Sequence, residues 1–182
     1  MKIRLVELAL AGLLLPTWGA AQDAKLRLPD FSSLAGKATE SVNVSLNPWL
    51  LRIAAASLDD KDADSAATKK LLSGIKAIEI RNYQFATDFA YSAADIDAVR
   101  RQLAAPGWSQ LMQVHNRKEG TDVDMYILLE NDRTRGFALI ASEPREFTII
   151  NIVGSISVED LSRLENHLHL PKVAVGKSYL MM

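Results

Sequence analysis

The chain has 182 residues, with 21 lysines and arginines against 22 acidic residues and a net charge of −1. Such a balance, with no basic stripe, argues against a nucleic-acid partner, because binding a phosphate backbone takes clustered positive charge. The absence of cysteine excludes disulfides, thiolate metal sites and the lipid-bearing cysteine of a bacterial lipoprotein, so the fold must rest on an apolar core.

Residues 1–21, MKIRLVELALAGLLLPTWGAA, read as a signal peptide. Lys2 and Arg4 form a basic start, Leu8 to Leu15 an apolar run, and Pro16 breaks it. Gly19 and Ala21 are small residues placed for cleavage before Gln22. The run is shorter than the roughly 20 residues that span a bilayer, and no second apolar segment of that length follows. The expectation is a periplasmic or secreted protein without a transmembrane segment after cleavage. Residues 22–170 would form a single domain and 171–182 a C-terminal tail.

A lead-in containing Pro29 and the Ser32-Ser33 pair precedes a short helical piece near 31–38. In SVNVSL, Val42, Val44 and Leu46 alternate with polar residues, as in a half-buried strand. Asn47-Pro48 then marks a helix start, since Asn caps free N–H groups and Pro suits the first turn. That helix is expected to run to Leu58 and to bury Leu50, Ile53, Ala54 and Leu58. Beyond the acidic DDKDAD, a second helix from about Asp64 to Ser73 should close at Gly74 in a left-handed cap.

IKAIEIRNYQF, residues 75–85, reads as a strand whose parity switches. Ile78 and Ile80 point one way, Tyr83 and Phe85 the other, so the strand has either a bulge near Asn82 or two apolar faces. Ser92 and Asp95 make a capping box before Ile96, Val99 and Leu103, and Pro106-Gly107 stops that helix. Four strands follow: WSQLMQV, DVDMYILLE, GFALIA and EFTIINIV. Their short links favour antiparallel neighbours, because a parallel pair needs a long crossover. Ser157 and Asp160 open another helix, with Leu161, Leu164 and Leu168 on one face, and Pro171 ends it. This order predicts an α+β fold, a two-layer sandwich of a mainly antiparallel sheet with amphipathic helices on one face. A doubly wound parallel sheet is the competing arrangement, and the strand run from 108 to 153 counts against it.

The segments LLSGIKAIEIRNYQF, YILLENDRTRGFALI and INIVGSISVEDLSRL resemble the DUF4252 family, bacterial exported proteins of unknown function, over roughly Phe31 to Leu168. The resemblance implies an envelope role and brings no established active site. Many members resemble lipoproteins, and this chain departs from them in having no cysteine near Gln22.

No catalytic set stands out. The chain has no Gly-x-Ser-x-Gly elbow, and a triad of Ser155, His115 and Asp122 can be assembled only by selection. His167 and His169 are two apart, where a helical metal pair prefers four. DDKDADSAATKK lacks the Gly and Glu of a calcium loop. Neither a metal nor a cofactor is expected. Asp122 and Asp124 share strand parity and would sit close together on the sheet. Asn151, inside TIINIV, must find partners if buried, which points to a structural role, and Arg81 and Asn82 interrupt the other apolar strand in the same way.

Tyr126 and Leu128, with Asp122 and Asp124, fall opposite Val123, Met125, Ile127 and Leu129. With Ile150 they would make a binding patch on the sheet face away from the helices, unless a second layer covers them. The rim near the HNRKEGT turn is the other expected location. The function expected is a non-catalytic envelope binding or interaction module with an envelope protein partner. A self-associating structural protein, a homo-oligomer, is the alternative, and a hydrolytic enzyme comes after it.

Overall fold

The structure is a computed structural model that describes residues 23–59, 61–131 and 133–155. The expected signal peptide, the helix expected from Ser157 and the expected tail 171–182 lie outside the described residues.

Local signals in the sequence set the starts of the helices. After the short α1 (Ser32–Ala35) and β1 (Glu40–Leu46), Asn47 opens α2 (Pro48–Ala56), its side-chain oxygen accepting the Trp49 and Leu50 N–H groups at 3.0 and 2.9 Å. Asp62 caps α3 (Ala63–Gly74) by accepting from Ser65, and those hydrogen bonds hold its carboxyl below the usual value. This acidic segment therefore starts a helix. Strand β2 (Ile75–Gln84) follows, then α4 (Ala93–Leu103), which the expected Ser92–Asp95 capping box opens.

The remaining strands are β3 (Trp108–Asn116), β4 (Thr121–Glu130), β5 (Arg133–Glu143) and β6 (Glu146–Gly154). Among the described residues the strands form one six-stranded sheet, ordered β1-β2-β6-β5-β4-β3. Every pair is antiparallel, and for β3 to β6 the short links require it. The last strand returns to pair with β2, setting Arg81 opposite Ile149 and Asn82 opposite Thr148.

Each face of this sheet has its own core. On one, Tyr83, Leu128, Ile140, Phe147 and Ile149 pack with Ile96, Val99 and Leu103 of α4. Ala24, Leu26, Phe31 and Leu34 of the N-terminal segment complete that cluster. On the other face, Ile78, Ile80, Val123, Leu139, Ile150 and Ile152 pack with Leu51 of α2 and Leu71 and Leu72 of α3. The α+β class and the antiparallel sheet are as expected. The helices divide between the two faces, whereas the sequence reading put them on one. The reason lies in β5 and β6, whose consecutive residues are apolar and so need cover on both sides.

Three local expectations change as well. The register of β2 shifts between Ile75 and Ala77, and Asn82 stays in register, so Ile80 and Tyr83 serve opposite faces without a bulge between them. Helix α2 buries Leu51, with Ala55 and Leu58 beside it, and turns Leu50 and Ile53 outward. Gly74 is the last helical residue of α3 and needs no left-handed turn; a Cβ there would lie 2.7 Å from the Ser155 carbonyl oxygen.

Candidate functional site

Three connections meet at the end of the sheet where β2 finishes. They are the segment 85–92 before α4, the β3–β4 turn at Gly120 and the β5–β6 turn at Pro144-Arg145. The Phe85 N–H donates to the Arg145 carbonyl at 2.9 Å, the Phe89 N–H to the Pro144 carbonyl, and the Tyr91 hydroxyl to the Glu143 carbonyl. These bonds place a bulky residue in an unusual state. Phe89 has φ +53° and its side chain is 58 % exposed. Non-glycine residues rarely take that left-handed conformation, and for a bulky one it is a genuine outlier. Gly120, itself at φ +65°, makes room for the ring, since a Cβ there would lie 2.9 Å from Phe89 Cζ.

Beside Phe89 opens a cleft of about 510 Å³ whose lining includes Thr39, Phe85, Asp88, Glu143, Arg145 and Glu146. Arg145 Nε donates to Asp88 Oδ1 at 2.6 Å across its mouth. Asn82, buried behind it, donates to Glu146 at 2.6 Å and to Thr148 at 2.8 Å. Burial, with Glu146 and Glu119 nearby, pushes the Glu143 carboxyl up. Burial also pushes the Tyr91 phenol up to about 12. Thr39 Oγ1 donates to the Gln84 carbonyl at 3.1 Å, so it is not set beside a general base. The cleft offers carboxylate and carbonyl acceptors, one guanidinium and an exposed ring at its edge. Those groups are suited to recognition.

The chain was compared with protein families, curated proteins and solved structures. The family model described as a domain of unknown function, DUF4252, matches residues 36–164. The chain belongs to the DUF4252 family. No curated protein and no solved structure matches it.

In this DUF4252 protein the residues picked out from sequence separate. Leu128 is 2 % exposed, under α4, and Ile150 is 5 % exposed, in the core of the opposite face. Tyr126 is half-buried against the Leu128 side. These three therefore form no common exposed patch. Leu129, expected in the core, is exposed near the end of β4, where the pairing with β5 slips past Arg135.

Asp122 and Asp124 each have their own partner. Asp124 is buried and receives Arg100 at 2.6 Å and Gln110 at 3.1 Å, while Asp122 contacts His115 Nδ1 near the β3–β4 turn. Ser155 is remote from that pair. Asp122 is level with Ser142 and Phe147 across the sheet, and Ser155 lies just past the far end of β6. At about 3.3 Å per residue that is roughly 26 Å away, so no triad forms.

The polar residues tie segments together. Asn151 donates to the Phe137 and Ala24 carbonyls and accepts the Leu26 N–H. Arg81 donates to the Val44 carbonyl of β1, on the face opposite Asn82. The three make no shared patch. Among the described residues no three His, Asp or Glu side chains converge as a metal-ligand set. The sequence pointed to the rim through the HNRKEGT turn but not to Phe89. The surrounding TDFAYS gives no pattern from which a left-handed backbone could be read.

Proposed function

We propose that this protein is a non-catalytic binding module that acts in the cell envelope after export. It recognises an envelope protein through the rim around Phe89. The observation that carries this reading is the Phe89 ring, held exposed on a left-handed backbone beside an acidic cleft. Strained, exposed residues cluster at binding sites because the surrounding fold bears their cost. An aromatic ring ringed by polar groups is the composition of an interface anchor. The carboxylates favour a partner segment that presents Lys, Arg or amide donors. The export reading rests on the basic, apolar and small residues of the first 21.

Pull-down from envelope extract tests this. Wild-type protein should recover a saturable partner, and Phe89→Ser should lower recovery at least about tenfold, the scale of an interface anchor. Asp88→Lys, which reverses an exposed carboxylate of the cleft, should lower it too. Undiminished recovery by both folded variants would remove the rim from consideration. Self-association is the second reading, favoured by the two sheet edges, β1 and β3. Light scattering that finds only monomer at high concentration would discard it.

A further inference from the structure

The face that α2 turns away from the core has no role in the rim. Trp49 is 60 % exposed and Ile53, one turn later, 49 %, with Leu50 at 36 % beside them. Leu51 supplies the buried contact instead, so the outward stripe adds nothing to the core and presents apolar surface to water. Next to it, between α2 and α3, runs a groove of about 540 Å³ with Leu51, Leu72 and Ile75 among its lining. Among the described residues, its charged ones are Arg52, Lys69 and Lys76, and none of the described carboxylates lines it. An adjoining cleft shares Lys76 and adds Arg133 and Arg135, with Asp23 as the acid among its described residues.

Among the described residues the clefts at the two ends of the sheet thus differ in charge. β1 ends at Leu46, opposite Ile78, so α2 leaves the sheet near the start of β2. The rim with Asp88, Glu143 and Glu146 follows the end of β2. Among the described residues the two clefts at the first end are lined by more Arg and Lys than acid, beside exposed indole and aliphatic groups, while the rim cleft holds three carboxylates and Arg145. Indole rings favour the headgroup layer, aliphatic side chains enter the acyl boundary beneath it, and Arg and Lys stems reach lipid phosphates. We infer that this end docks on an anionic lipid surface, with Trp49 and Ile53 in the headgroup layer and Arg52 and Lys76 on the lipid phosphates. The contact is peripheral and separate from the rim, leaving Phe89 directed away from the membrane.

Vesicle sedimentation tests the inference on protein recovered after export. Vesicles of phosphatidylglycerol and phosphatidylethanolamine should bind at least about tenfold more protein than phosphatidylcholine vesicles, and salt of about 0.5 M should weaken that binding. Trp49→Ser combined with Ile53→Ser should cut it about tenfold, and so should Arg52→Glu combined with Lys76→Glu. All four side chains are exposed, so circular dichroism should be unchanged. If the serine pair fails to fold, the charge-reversed pair and the lipid comparison decide. Phe89→Ser should bind vesicles like wild type. Equal binding to both vesicle types, no binding, or full binding by the folded variants overturns the inference. A wild-type dimer that the serine pair converts to monomer also overturns it, because a second copy would then own the stripe.

Discussion

Asn151 of β6 is fully buried, and its amide ties that strand to two other parts of the chain: β5 through the Phe137 carbonyl and the N-terminal segment through Ala24 and Leu26. Replacing it with Ala leaves two carbonyls and one N–H without a partner in an apolar layer. Asn151→Ala should destabilise the protein by about 3 kcal/mol, given roughly 1–3 kcal/mol for each stranded group and some relaxation. The loss should appear as a lower urea midpoint, together with faster proteolysis near Leu26. A change under about 0.5 kcal/mol would mean that water replaces those bonds.

Glu143 offers a second test at this scale. Burial, then Glu146 and Glu119, raise its folded value above the usual 4.5. Folding therefore favours the protonated form. That stability is fully present below the unfolded value and is lost as pH rises through the folded one. Glu143→Gln keeps the site neutral, so it should raise Tm near about pH 7 and leave it unchanged near about pH 3.5. The same gain at both pH values would trace the effect to packing.

At the scale of elements, α2 is the test case. The run WLLRIAAASL has apolar residues at helical spacing on more than one face. A stripe through Leu50, Ile53, Ala54 and Leu58 and one through Leu51, Ala55 and Leu58 are equally acceptable to periodicity. The choice is made by β1 and β2, where Val44, Leu46, Ile78 and Ile80 receive Leu51. Leu51→Ala should cost about 3 kcal/mol, within the range for a buried leucine, and Ile53→Ala under about 1. Thermal or urea unfolding of the two variants checks this, and comparable losses would reverse the assignment. The helix starts were more legible. Asn47 and Ser92 cap as their chemistry dictates, because a cap involves groups only two or three residues away.

At the scale of the molecule, the two cores share one sheet. Ile149 and Ile150 are adjacent in β6 and face opposite cores, as do Leu139 and Ile140 in β5. Neither core can melt without disturbing the strands that build the other. Protein that begins at Gln22 should unfold in a single transition, unaffected by reductant since there is no cysteine. Trp49 on α2 and Trp108 in the α4-side core serve as probes once each is isolated by changing the other to Phe. Coincident midpoints are expected, and separate ones would divide the molecule into two units.

The strands and described helices to within a few residues, the Asn47 and Ser92 caps, the antiparallel meander and the family were determined by the sequence alone. Each depends on neighbours a few residues apart or on a recurring pattern. The pairing of β6 with β2, the division of helices between the faces, the burial of Leu128 and Ile150 and the exposure of Trp49 and Phe89 were decided only by the tertiary structure. An apolar side chain carries the same local signal whether a distant segment covers it or leaves it in water. Which of the two happens depends on how far-apart segments pack, because burial is set by long-range contact.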